Sequence, residues 1–318
     1  MSDEVISCSV VISSYNSIQT LESTIRSVAK QSAPVQEIIV IDDASTDGTA
    51  ELVKELSAEL ESVRHIFREI NVGQSENRNL GVSISTGNLI VFCDADDECY
   101  PFRIEEHMRM HSMGAEVSYV STEKIYSTSY RKKFKNSNFG PIQMKPATLA
   151  SRVLLGKRAG LPANLAIPAC SMAINRDTFL NSGGFNTFYR RLEDVEYAIR
   201  LAERDVFFCW SSRIALKRFV SVRPDKSGSI DISFERRLND DFGAYFSNED
   251  IRIMALHTRA RKMYFDGDLL GLLLFVFRNP RILANKLFVI RIFNAVKRLK
   301  HDLIIFFLSR IWGTKNSR

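Results

Sequence analysis

Two kinds of hydrophobic spacing alternate through the first hundred residues. Continuous, β-branched apolar runs occur at "VISCSVVISS" (5–14), "EIIVIDD" (37–43), "VRHIF" (63–67) and "NLIVFCD" (88–94), and they predict strands. Between them Ile18, Leu21, Ile25 and Val28, then Ala50, Val53, Leu56 and Leu60, recur at helical spacing, and a third helix is predicted around 75–85. Apolar strands separated by amphipathic helices predict an α/β fold, with a mostly parallel central sheet and helices on both faces. Further along, "EVSYVSTEKIY" (116–126) alternates like a strand, "YRKKFKNSNFGP" (130–141) reads as a basic loop, and "ACSMAINRDTF" (169–179) as a strand leading into a short helix. Residues 181–203 run from a glycine turn into a helix that starts with acids, and the chain beyond 222 reads as helical. The expected division is an α/β domain over 1–222 and a helical extension over 223–318.

In such a sheet ligands bind beyond the carboxyl ends of the strands. Polar residues stand at those ends: "SSYN" (13–16), Asp42 and Asp43, "NVG" (71–73), and the acidic "DADDE" (94–98). All four are expected to face one crevice.

Charge and cysteine usage narrow the setting. The net charge is +6, yet residues 281–318 carry nine Lys or Arg against one acid, a net of +8, which leaves −2 for the rest. A faintly acidic body argues against a nucleic-acid partner. Lys286, Arg291, Lys297, Arg298, Lys300 and Arg310 lie among large apolar residues, a composition suited either to peripheral contact with the inner face of an anionic membrane or to packing on the protein or a partner. Five scattered cysteines without a CxxC pair point to reduced thiols, hence a cytoplasmic setting. The start "MSDEVISCSV" shows no signal peptide, and no apolar run reaches about 18 residues.

The acidic cluster carries the chemistry. Asp94, Asp96, Asp97 and Glu98 crowd the end of an apolar strand, where their mutual repulsion needs a compensating cation. An EF-hand would match at Asp94, Asp96, Glu98 and Glu105, but Cys99 replaces the required glycine and a strand precedes the loop. A Mg²⁺ or Mn²⁺ shared between carboxylates and a diphosphate fits the spacing. The chain has neither G-x-G-x-x-G after a strand nor a P-loop, so the diphosphate belongs to neither motif's ligand. Two other readings stay open: a metal-dependent phosphohydrolase or phosphotransferase with Asp94 as nucleophile, and a solvated acidic loop capping the next helix. Taken by themselves, Asp43 also reads as a turn or helix-cap residue, Arg78 as a surface cation, and Glu193 and Asp194 as ordinary first-turn acids.

"SVVISSYNS", "EIIVIDDASTDGT", "NVGQSENRNLG", "STGNLIVFCDADD" and "GGFNTFYRRLEDVEYAIRL" resemble, in order, the motifs of family-2 glycosyltransferases with the Rossmann-like GT-A fold, over about residues 5–215. The resemblance implies that Ser13, Tyr15 and Asp43 hold the nucleobase and ribose, and that Arg78 and Asn79 lie near the phosphates or pack the nucleotide loop. It implies that Asp94 and Asp96 form the D-x-D pair contacting ribose and metal, with Asp97 beside it, and that Asp194 is the catalytic base supported by Glu193. The implied activity is inverting transfer from a nucleotide-diphospho-sugar, UDP-linked, to a hydroxyl of a glycan or lipid-linked acceptor, in surface glycan or polysaccharide synthesis, with Mn²⁺ or Mg²⁺ as cofactor. A non-catalytic nucleotide-sugar-binding module is the remaining alternative. One departure is visible: many relatives carry a histidine in a loop after the catalytic helix, whereas "LKRFVSVRPDKSGS" (216–229) has none, leaving Lys217, Arg218, Arg223 or Lys226 as substitutes.

Overall fold

The computed structural model describes residues 6–126, 131–155, 162, 165–219, 237 and 240–245. The chain divides into two units, residues 1–153 with 157–222 and residues 154–156 with 223–318. The expected helical extension and its membrane contact fall almost wholly outside the described residues. Among those described, no helix is long and apolar enough to cross a membrane.

The four apolar runs form β1 (Cys8–Ser14), β2 (Glu37–Asp42), β3 (Val63–Phe67) and β4 (Leu89–Asp94), which pair in parallel in the spatial order β3-β2-β1-β4. The helices between them are α1 (Leu21–Ala29), α2 (Thr49–Glu59) and α3 (Gln74–Ser83). Successive residues of β1, β2 and β4 are buried, so these strands are covered on both faces and their continuous apolar pattern is explained. Because the strands run parallel, Ser13, Asp42 and Asp94 emerge in register at one edge, where Ser13 pairs with Asp94 and Ser14 with Asp42.

Beyond β4 the sheet is mixed. β9 (Met172–Asn175) runs antiparallel between β4 and β6 (Val117–Ile125), and β10 (Phe207–Phe219) runs parallel to β6. β5 (Asp97–Cys99) closes the edge against β10. The basic stretch expected to be a loop instead supplies β7 (Arg131–Phe134), paired with β6, and the start of β8 (Phe139–Gln143), paired with β10. Its pairing comes from backbone hydrogen bonds at an exposed edge, where no alternation of apolar residues is required. The helices of this half are α4 (Arg103–Ser112), α5 (Pro146–Leu155), α6 (Arg176–Asn181) and α7 (Glu193–Ala202).

Helix α3 lies close against β1 because Gly81 faces the side chain of Val11; a Cβ there would overlap Val11 Cγ1. We expect Gly81→Ala to cost about 1–3 kcal/mol in urea unfolding, as overpacking does. Adding Val11→Ala should recover part of that cost; an undiminished Gly81→Ala stability would show that α3 does not sit this close.

Candidate active site

The acidic turn is fastened from two sides. Ala95 and Asp96 join β4 to β5, and the hydroxyls of Thr20 and Thr24 on and before α1 donate to the Ala95 carbonyl at 2.9 and 3.0 Å. Ser23 donates to Glu98 at 2.6 Å. On the other side β5 pairs with β10, setting Asp97 opposite Arg218 and Glu98 opposite Lys217, whose Nζ lies 3.2 Å from Glu98 Oε2. Asp97 is buried, its Oδ2 accepts no hydrogen bond, and Arg218 Nε stands 3.8 Å away. Burial, reinforced by the charge of Asp94, pushes the Asp97 carboxyl well above the usual carboxylate range, against the pull of Arg218.

Arg78, on α3, joins this turn to the start of α7. Its Nη2 donates to Asp94 Oδ1 at 2.7 Å, its Nη1 to Glu193 Oε1 at 3.0 Å, and Gln74 Nε2 donates to the same Glu193 oxygen at 2.6 Å. Only 3% of the Arg78 side chain is exposed. Burial works against its charge, but Asp94 and Glu193 outweigh it and raise its pKa further. Glu193 is pushed up to about 7, chiefly by burial and then by the neighbouring Asp194, while Arg78 resists the shift. Asp194, half-buried, is also raised by burial despite Arg78; its Oδ1 accepts the Val195 N–H at 2.9 Å. Both acids stand in the first turn of α7, where the helix dipole favours the ionised form.

The residues expected to hold the nucleoside gather at the ends of β1 and β2. Asp43 accepts the backbone N–H groups of Val72 and Gly73, each at 2.9 Å, so it holds the loop before α3 in place. Asn77 donates to Ser13 Oγ at 3.4 Å, and Tyr15 is exposed beside them. Asn79 grips the glycine turn instead of facing the crevice: its amide donates to the Phe185 carbonyl and accepts the Phe185 N–H, both at 2.8 Å. Asn16, Ala44 and Leu192 have φ of 47°, 62° and 64°, a left-handed conformation that non-glycine residues rarely adopt outside functional sites. All three lie in the loops that frame this crevice.

The residues fit a divalent cation, though not only through the expected pair. Asp94, Asp97 and Cys170 each bring a ligand atom within 4.8 Å of the others, and the unused Asp97 Oδ2 offers buried lone pairs. Asp96, in the turn, is not part of that group. Carboxylate oxygens suit Mn²⁺ and Mg²⁺, and a thiolate adds a softer ligand than Mg²⁺ favours. Asp97 was expected beside the D-x-D pair, whereas Gln74 and Cys170 escaped the sequence reading as site partners. Gln74 was discoverable, one helical turn before Arg78; Cys170 arrives from a turn before β9 and carries no local signal.

Removing the Arg78 cation leaves two carboxylates without a counter-charge. We expect Arg78→Met to cost about 3–5 kcal/mol at pH 8, the range for breaking a buried pair. Without the cation the folded-state Glu193 pKa rises further above its unfolded value, so the cost shrinks as the pH falls toward 5 and the acid takes up its proton. Urea unfolding at the two pH values measures this, and a cost independent of pH would contradict it.

The sequence model described as Glycosyl transferase family 2 matches residues 9–182. An uncharacterized glycosyltransferase of Haemophilus influenzae is 26% identical over 278 residues, covering 81% of this chain and 88% of that protein. The Escherichia coli glycosyltransferase YibD is 37% identical over 102 residues, covering 32% of this chain and 29% of its own length. Among solved structures, S. aureus TarS 1-349 in complex with UDP-GlcNAc superposes with a TM-score of 0.61 at 15% identity, covering 82% of this chain and 73% of that one. That likeness is one of fold, the GT-A arrangement of helices about a central sheet. With more than half of its length matched in motif order, the chain belongs to glycosyl transferase family 2 and is a glycosyltransferase.

Proposed function

We propose that the enzyme transfers a sugar, with inversion, from a UDP-linked donor to a hydroxyl of a glycan or lipid-linked acceptor at the cytoplasmic face of a membrane. The observation that carries this reading is the Arg78 bridge, which fixes a D-x-D carboxylate on one side of the crevice and the Glu193–Asp194 pair on the other. Ser13, Tyr15 and the Asp43-held loop receive the nucleoside. Asp94 and Asp96, with Asp97 and Cys170 behind them, would hold a Mn²⁺ or Mg²⁺, which when bound offsets the charge of the donor diphosphate.

The acceptor hydroxyl is a weak nucleophile, so Asp194 takes its proton as the oxygen attacks the anomeric carbon. The bond from that carbon to the diphosphate breaks, its electron pair leaves with the nucleoside diphosphate, and attack from the opposite face inverts the centre. No second nucleophilic carboxylate is needed, unlike a retaining glycosidase. Glu193, tied by Arg78 and Gln74, positions Asp194 and shares its titration. Near pH 7 Glu193 is therefore about half protonated, and because its charge and that of Asp194 act on each other the apparent pKa belongs to both groups.

A screen of nucleotide-sugar hydrolysis and transfer with Mn²⁺ and Mg²⁺ identifies the donor. Asp96→Ala should abolish metal-dependent turnover. Asp194→Asn should leave donor binding near intact and cut transfer by about 10²–10⁴-fold, the range for losing a general base; unchanged transfer would remove Asp194 from that role. In pH profiles kcat/KM should fall below about pH 7 as the pair takes up its proton. Glu193→Gln should shift this limb to lower pH, since Arg78 then acts on Asp194 without a competing acid. A limb that stays in place would separate Glu193 from the titration.

A further inference from the structure

Four paired residues form one row across the mixed half of the sheet. Lys132 on β7 stands opposite Lys124 on β6, Lys124 opposite Arg218 on β10, and Arg218 opposite Asp97 on β5. Directly opposed residues point to the same face of a sheet, so three cations lie in line beside the acidic turn. Neighbouring strands are about 4.8 Å apart, so the three cations span about 10 Å. The two ammonium groups share one aromatic ring, Lys124 Nζ at 5.3 Å and Lys132 Nζ at 5.2 Å from the centroid of Phe134. Burial lowers the Lys124 pKa, and the charges of Arg218 and Lys132 lower it further.

Like charges placed directly opposite each other destabilise a sheet. Among the described residues neither lysine has a carboxylate within ion-pair distance; Glu123, the acid adjacent to Lys124 in sequence, points to the other face and meets Arg131 at 3.7 Å. The fold thus holds a strip of positive charge at the carboxyl ends of β6 and β10, leading from Asp97 to the outer edge; Arg218 faces Asp97, and among the described residues the two lysines beyond it form no ion pair. Two lysines suit the point charge of phosphate oxygens better than a planar carboxylate, which favours the bidentate fork of arginine. The position, on the far side of the acids from Ser13 and Asp43, is the acceptor's side of the crevice.

We propose that Lys132, Lys124 and Arg218 form a subsite for phosphate carried by the acceptor, a reading that rests on the glycosyltransferase assignment of the crevice. The phosphate could belong to a phosphodiester polymer or to a lipid diphosphate; the chemistry is shared. Calorimetric titration of the full-length protein with inorganic tripolyphosphate, with and without saturating UDP and Mn²⁺, tests the subsite. Tripolyphosphate should bind in both conditions. In Lys124→Met/Lys132→Met its affinity should fall by about tenfold or more, about one charge-assisted contact's worth, while UDP affinity stays the same and Tm is unchanged or higher because the facing charges are gone. Poly(glycerol phosphate) and farnesyl diphosphate then serve as separate probes, and the one whose binding the double variant loses names the source. Competition of tripolyphosphate with UDP for one site would overturn the proposal, as would equal binding by the variant or no binding at all. If UDP itself fails to bind while the lysine-dependent binding persists, the row stands and the nucleotide reading falls.

Discussion

A buried guanidinium that must satisfy two acids on different elements sets the geometry of this enzyme. Arg78 reaches Asp94 at the end of β4 and Glu193 at the start of α7, and neither acid can withdraw without leaving a buried charge unpaired. Its neighbours on α3 hold the same segment. Gln74 grips Glu193, Ser75 donates to the Tyr189 carbonyl at 3.3 Å, and Asn79 clamps Phe185. The position of α3 relative to β1, set by the close approach of Gly81 to Val11, therefore becomes the position of the acids relative to the strand ends. A packing contact in the core and a polar contact in the crevice are parts of one constraint.

Acids crowd the crevice. Asp94 and Glu193 pair with Arg78 and Asp97 faces Arg218, while Asp96 acts on Asp97 and Asp194 on Glu193 as like charges. A diphosphate would bring more negative charge to the same place. A divalent cation would offset that excess, and the elevated Asp97 carboxyl with its unused oxygen marks where burial and the charge of Asp94 work against ionisation. Proton uptake, arginine and metal are then three ways of offsetting one excess.

How much of this was legible in the sequence depends on what kind of force places each element. β1 to β4 were legible because burial on both faces demands an unbroken apolar run. The D-x-D turn was legible as unexplained charge, whereas the acids of α7 by themselves read as ordinary first-turn acids and were singled out by the family resemblance. Helix α3 was legible as a helix but not as the hub of the site. Arg78, taken by itself, reads as a surface cation, yet it is buried together with Ser75 and Asn77 because each finds a partner far away in the chain. Nothing local announces such a partner. The same reason hid β5 and β7, short strands whose pairing with β10 and β6 is a matter of backbone register.

The change in strand direction at β9 gives the crevice its two sides. Up to β4 the sheet is parallel, and the strand ends present Ser13, Asp42 and Asp94 with their loops, a geometry suited to a nucleotide laid across adjacent strands. Inserting β9 antiparallel between β4 and β6 restores the forward direction at β6 and β10, so their carboxyl ends come to the same edge as Asp94. A second set of strand ends is thereby aligned with the first, the chain crossing from β4 to β6 through α4. The acids lie at the seam, and Arg218, Lys124 and Lys132 lie beyond it. Charge of opposite sign on either side of one reacting centre would orient an anionic acceptor, drawing its phosphate outward along β6 and β7 while the hydroxyl to be glycosylated is left facing Asp194.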